Sequence, residues 1–304
     1  MDLQHIGLIG YGEVGKTFCT GLLPQPGVAS VGAWDLKFAL PGTRDAELAH
    51  AVRHGVTAHA SAAALCAASD IVISAVTASH TLEVAQEVAD SIRPGTVFLD
   101  LNSASPGTKQ QAAALIDARG AYYVEAGVMT SVPPYGIRVP MLLGGARAQA
   151  LAAVLQAWGM DAKPVSEQLG VASAIKMCRS VMIKGLEALV IESYATARQY
   201  GVEAHVLPTL AETFPSIDWE KQGSYFFSRV VQHGQRRSEE MHEAARTVHE
   251  AGIEPLMASA IAHRQASVAA MAREGVFADL PKDAPWQDYA DRLLAHLAKD
   301  QGAL

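Results

Sequence analysis

The chain has 304 residues, half of them hydrophobic, and a net charge of −7. That length suffices for two ordinary domains with well-buried cores. No apolar run approaches the roughly 20 residues of a membrane-spanning helix, and the basic residues are scattered, so neither a membrane nor a nucleic acid is expected as a partner. Cys19, Cys66 and Cys178 form no CxxC and share no zinc-like spacing with histidine. They read as small apolar core residues, and no metal is expected. The opening MDLQHIGLIG carries no basic leader, from which a cytoplasmic location is expected.

The first half alternates short apolar runs with stretches of helical period. Residues 5–10, 29–34, 70–76, 95–100 and 121–128 read as strands, and 13–23, 44–54, 79–92 and 106–119 as helices. Repeated strand–helix–strand units imply right-handed crossovers and a parallel sheet covered on both faces. Residues 1–165 are therefore expected to form a doubly wound α/β domain of the Rossmann type. After Val165 the pattern changes. A single long helix from Ser166 to about Gly201 is the economical reading, followed by helical stretches at 203–212, 224–250, 254–274 and 286–300. Residues 166–304 are expected to form an all-α second domain.

Gly10-Tyr11-Gly12-Glu13-Val14-Gly15 directly follows the first strand. In a dinucleotide fold the first glycine allows the tight turn, the second admits the pyrophosphate, and the third lets helix and strand pack closely. The motif is weak alone and gains weight from opening the first βα unit. A competing pattern uses the same residues: Gly10 with Gly15-Lys16-Thr17 fits a nucleotide triphosphatase P-loop, and Phe98-Leu99-Asp100 could pass for a magnesium-binding strand end. Two observations favour the dinucleotide. The next strand ends at Trp34-Asp35, where an acid meets the ribose 2′-hydroxyl, and a helical second half has no role in a minimal triphosphatase. Asp35 repels the 2′-phosphate of NADP, so NAD is the expected cofactor, with Lys37 softening the preference.

Three further stretches follow in order: Ser74-Ala75-Val76-Thr77, Asp100-Leu101-Asn102-Ser103-Ala104-Ser105-Pro106, and Gly170-Val171-Ala172-Ser173-Ala174-Ile175-Lys176. With the glycine loop, they make the chain resemble the β-hydroxyacid dehydrogenase family, which includes 6-phosphogluconate, 3-hydroxyisobutyrate and tartronate semialdehyde enzymes. The stretches are similar to the family's cofactor segment, its D-x-S-T-x-x-P turn and the G-x-x-x-x-x-K of its catalytic helix. The resemblance implies Val76, Thr77 and Asn102 beside the cofactor, Asn102 and Ser103 orienting nicotinamide or substrate oxygen, and Lys176 as general acid/base. Arg229 to Met257, marked by His233-Gly234-Gln235-Arg236-Arg237-Ser238-Glu239-Glu240-Met241, is similar to a branch described as phosphogluconate dehydrogenase-like.

Two departures bear on the substrate. The family's loop D-x-P-V-S-G-G corresponds to Glu125-Ala126-Gly127-Val128-Met129-Thr130-Ser131, leaving Thr130 and Ser131 as candidates to replace the displaced serine and glycines. The family asparagine four residues after the lysine is Ser180 here. Redox chemistry is still expected, while the usual small hydroxyacids become uncertain substrates.

Removing a hydride from a hydroxyl-bearing carbon requires the hydroxyl proton to leave too, and a lysine with a lowered pKa can take it. Lys176 stands out because only it and Arg179 are charged between Val171 and Val181. Lys176, Ser180 and Lys184 recur every four residues, near one helix face. Arg179, Ser180, His233 and Arg236 are candidates for binding a substrate anion, with Arg138 a weaker one. The competing reading of His233, Arg236 and Arg237 is a solvated face paired with Glu239 and Glu240. The expected activity is oxidation of an alcohol β to a carboxylate, or reduction of the matching carbonyl, on a small anionic molecule, with decarboxylation of the product left open. The rivals are an imine reductase of the same architecture and a non-catalytic dinucleotide-binding protein. The long apolar helix and the Ala-rich stretches 187–197 and 258–272 predict a homodimer or larger even assembly.

Overall fold

The computed structural model describes residues 3–301. Residues 1–2 and 302–304, the outer ends of the two expected domains, lie outside the described residues. Eight strands follow in chain order: β1 (His5–Ile9), β2 (Ser30–Trp34), β3 (Thr57–Ala58), β4 (Ile71–Ser74), β5 (Val97–Asp100), β6 (Tyr122–Val128), β7 (Met141–Gly144) and β8 (Ala162–Ser166). They form one sheet in the order β3-β2-β1-β4-β5-β6-β7-β8. All pairings are parallel except β6 with β7. Between them run α1 (Glu13–Leu22), α2 (Arg44–Arg53), α3 (Ala62–Ala67), α4 (Thr81–Ala89), α5 (Pro106–Asp117) and α6 (Ala148–Ala157). Every residue of β4 and β5 is buried, as a parallel sheet with both faces covered demands.

The sheet is wider than the sequence reading, which left β3, α3, β7, α6 and β8 unassigned. β3 has only two residues, too few to show a period. β8 alternates buried and exposed residues and contains Pro164, tolerable because this strand lies on the sheet edge. β7 occupies the apolar run after Arg138 and turns back antiparallel to β6.

The remaining helices are α7 (Val171–Tyr200), α8 (Glu203–Thr213), α9 (Trp219–Glu250), α10 (Leu256–Arg273) and α11 (Trp286–Gln301). Gly201, at φ +67°, ends α7, and its N–H and that of Val202 bond back to Arg198 O and Ala197 O. None of the described helices is long and apolar enough to cross a membrane.

Two compact units result, residues 1–178 and 179–304. The division falls inside α7, after Cys178, rather than at the expected 165/166. Lys176 thus belongs to the unit that holds the sheet.

In the helical unit, Ile191, Tyr194, Phe227, Val268, Trp286 and Tyr289 form the core. Gly234 has no room for a side chain, since a Cβ there would lie 2.8 Å from Gln265 O, and this lets α9 and α10 approach closely. Arg237, grouped in the sequence with an exposed basic cluster, is instead buried and paired with the buried Glu187 of α7. Gln265 Nε2 donates to the same carboxylate at 3.2 Å. The helical period explains the inversion: Arg237 shares its face with the buried Val230, Gly234 and Met241, whereas Arg236 does not.

Candidate active site

The glycine loop leaves β1 at Gly10, which has φ +97°. A Cβ there would lie 2.4 Å from Ala75 O, and one on Gly15 would lie 1.9 Å from Gly10 O, so both positions require glycine. Gly12 faces open space, with nothing within 4 Å of an added Cβ. It also caps α1 without a side-chain hydrogen bond, which leaves the first N–H groups of the helix free to meet an anion. Asp35, at the end of β2, ties the loop down. Its Oδ2 accepts from Tyr11 N at 2.6 Å and its Oδ1 from Lys37 N at 2.9 Å. A turn of this shape, with an open helix N-terminus and an acid on the neighbouring strand, fits a nicotinamide dinucleotide.

Within the loop, Tyr11 turns its ring into the core and its hydroxyl lies 3.0 Å from His50 Nδ1. Burial above all, with Cys19 and Glu47 nearby, pushes that hydroxyl up to about 12. Glu13 is exposed and Val14 half-buried. The P-loop alternative loses its chemistry: Lys16 Nζ pairs with Glu47 at 2.6 Å, Thr17 donates to Glu13 O at 2.7 Å, and the Asp100 carboxylate pairs with Lys109.

The ends of β4 and β5 are laced together by Asn102. Its Oδ1 accepts from Val76 N at 2.7 Å, its Nδ2 donates to Ser74 Oγ at 2.9 Å, and its own N–H donates to Asp100 Oδ1 at 2.9 Å. Asn102 thus holds Val76 and the ends of both strands together. Thr77 is exposed, its hydroxyl 2.8 Å from His80 Nδ1. Ser105 closes the turn by capping α5, accepting from Thr108 N. Between these fixed points stands Ser103, half-buried, and Lys176 Nζ donates to its Oγ at 2.6 Å.

The start of α7 is held by a residue the sequence reading gave no role. Glu125, fully buried on β6, accepts from Gly170 N at 2.7 Å, Ala172 N at 3.1 Å and Ser173 N at 3.3 Å. A carboxylate there satisfies orphan donors and complements the positive helix end. On the same strand Gly127 stands where the resembling family carries proline. A Cβ on it would lie 3.0 Å from Ala172 O and 3.5 Å from Lys176 Cβ, so its absence lets strand and helix approach. Thr130 is exposed and Ser131 half-buried in the loop after β6.

The remaining candidates belong to the helical unit. Arg179 is exposed. Ser180 is buried and accepts from Lys184 Nζ at 3.2 Å, while Lys184 pairs with Glu240 Oε2 at 2.8 Å. Arg236 pairs with the other oxygen of Glu240 at 2.7 Å, as the solvated-face reading had it. His233 is half-buried. Lys109, Glu125 and Gly127 escaped the sequence reading. Lys109 did leave a signal, since it shares a helix face with Ala112, Ala113 and Ile116, all buried.

An uncapped helix N-terminus behind a glycine loop, an acid after the next strand and a lysine–serine contact fit an NAD(P)-binding oxidoreductase fold. The family model for the NAD binding domain of 6-phosphogluconate dehydrogenase matches residues 5–164, and the chain belongs to that family. Residues 197–268 match a domain of unknown function, DUF1932. A conserved hypothetical protein from Sinorhizobium meliloti 1021 is 37% identical, with 96% of both chains covered and a TM-score of 0.76. The conserved protein MTH1747, described as structurally similar to 3-hydroxyacid dehydrogenases, is 30% identical over 89% of this chain and 98% of that one, with a TM-score of 0.67. The mitochondrial 3-hydroxyisobutyrate dehydrogenase of Drosophila melanogaster is 24% identical over 225 residues, 72% of this chain and 66% of that protein. A reductive aminase from Aspergillus terreus shares the fold at 20% identity, with 96% and 99% of the chains covered and a TM-score of 0.55.

Glu125→Ala strands three buried N–H groups and should lower the unfolding free energy by about 1–3 kcal/mol. Urea titration followed by circular dichroism measures this, and an unchanged midpoint would remove Glu125 from the account of α7.

Proposed function

We propose that the chain oxidises a hydroxyl group β to a carboxylate, or reduces the matching carbonyl, with NAD as cofactor and Lys176 as general acid/base. The observation that carries this reading is the 2.6 Å contact between Lys176 Nζ and Ser103 Oγ, at the end of β5 in an NAD-binding domain. In oxidation the substrate loses a hydride from carbon and a proton from oxygen, and a carbonyl results. The bound nicotinamide supplies the hydride acceptor. Lys176 takes the proton, and Ser103 fixes the amine in position to do so. Asn102 contributes by holding Val76 and the strand ends, while Thr130 and Ser131 are this unit's candidates for meeting a substrate carboxylate. In reduction the same amine, protonated, gives its proton to the carbonyl oxygen.

The reading is supported by the kinship with 3-hydroxyisobutyrate dehydrogenase and 6-phosphogluconate dehydrogenase sequences. A panel of hydroxy acids, diols and imines, followed by NADH absorbance, tests it; turnover confined to imines would transfer the assignment to imine reduction. Lys176→Ala should lower kcat by roughly 10²–10⁴-fold while NAD affinity stays nearly constant. Near-normal turnover in that variant would refute the mechanism.

Asp35 supports NAD over NADP. Both of its oxygens are aimed by backbone N–H groups at the end of β2, where a 2′-phosphate would meet like charge. The ratio of kcat/KM for the two cofactors is expected to favour NAD, and a clear NADP preference would contradict the role given to Asp35.

A homodimer or larger even assembly belongs to the same reading. Met182 and Leu189, seven residues apart on α7, are 66% and 55% exposed. Two such faces would bury an obligate interface of roughly 2,000 Å² or more. Light scattering at low micromolar concentration should show at least a dimer, and an active monomer would overturn this.

A further inference from the structure

Behind the Ser103–Lys176 contact lies a buried polar group with no place in the chemistry just described. Lys109, on α5, is fully buried. Its Nζ lies 3.0 Å from Asp100 Oδ1 and donates to the main-chain oxygen of the same residue at 3.0 Å. The carboxylate takes two more hydrogen bonds, from Asn102 N at 2.9 Å and from the Tyr123 hydroxyl at 2.6 Å. Burial, followed by the adjacent Asp100 charge, holds the Tyr123 hydroxyl well above the ordinary tyrosine range, so it remains a donor.

A buried ion pair contributes little stability over a well-packed apolar substitute, because desolvation offsets the attraction. What this one supplies is geometry. Lys109 grips Asp100 through both its backbone and its side chain, so the last residue of β5 has one orientation. Five residues later Ser105 caps α5, four residues before Lys109 on the same helix. The turn is pinned at both ends, and its middle is tied to β4 through Asn102. Ser103 is the side chain of this turn that meets Lys176.

We propose that Lys109 is a positioning residue for the reaction: by clamping Asp100 it fixes the turn at 100–105, so that the Ser103 hydroxyl holds the Lys176 amine in one place. This rests on the reading of Lys176 as the acid/base. A shift of about an ångström in a reacting group costs roughly 10²-fold in rate, so loosening the turn should appear in kcat.

The experiment uses the whole chain and three proteins: wild type, Lys109→Met, and the double variant Asp100→Asn/Lys109→Met, which removes both charges together. Three quantities are measured: the thermal midpoint; kcat and KM on the substrate that wild type turns over best; and the rate at which an acylating reagent modifies the Lys176 amine, read by peptide mass spectrometry. Lys109→Met is expected to lower both midpoint and kcat. The double variant is expected to regain most of the midpoint, yet keep a kcat depressed by roughly 10²-fold. Lys176 should be acylated faster in both variants. Recovery of kcat together with the midpoint would make Lys109 merely structural and overturn the proposal, as would an unchanged acylation rate. If wild type turns over nothing in the panel while acylation of Lys176 still accelerates in both variants, the clamp stands and the proposed reaction fails.

Discussion

Parallel strands end with main-chain groups that the neighbouring strand does not reach, and these must find partners before the edge can carry a site. Here loops and side chains provide them. Gly10 N donates to Trp34 O at 2.9 Å, Leu101 N to Ser74 O at 3.0 Å, and Val76 N to the Asn102 amide. Asp35 and Asp100 each collect backbone donors from the turn they precede or face. The glycine loop and the serine–lysine contact both stand on this satisfied edge.

The alternation of apolar runs with helical stretches made the doubly wound domain legible, as did the all-helical second half. What stayed hidden was short or peripheral. A two-residue β3 has no period, and β8 hides behind Pro164, a residue that ordinarily argues against a strand. The unit boundary moved for a different reason. Helical period put the start of α7 at Ser166, which in the structure ends β8, with the helix beginning at Val171; nor can it show that the first turns of α7 are tied to β6 by Glu125 and Gly127.

At the site the same division holds. Gly10, Gly15, Asp35, Ser103 and Lys176 sit in local patterns that are visible in the sequence. Lys109 and Arg237 do not, because a buried charge looks like a surface charge until its helix face is examined. Arg237 sits beside Arg236 in the sequence and faces the opposite environment: one meets Glu187 in the core of the helical unit, the other meets Glu240 near solvent. Adjacent residues on a helix point about a quarter-turn or more apart, so a basic run in sequence is rarely one patch in space.

The cap that Glu125 places on α7 has a consequence for how this protein can vary over evolutionary time. The three groups it holds are backbone N–H groups, so at Ala172 and Ser173 the bond itself does not dictate the side chain, whereas Gly170, at φ +98°, is held to glycine. The acceptor has no such freedom. It must be a carboxylate of the right reach, and the strand opposite must keep Gly144, where a Cβ would sit 2.4 Å from Glu125 Oε1. Selection on the lysine's helix would therefore leave its imprint 45 residues upstream of Gly170, at Glu125, and also at Gly144, both outside the stretch from Gly170 to Lys176.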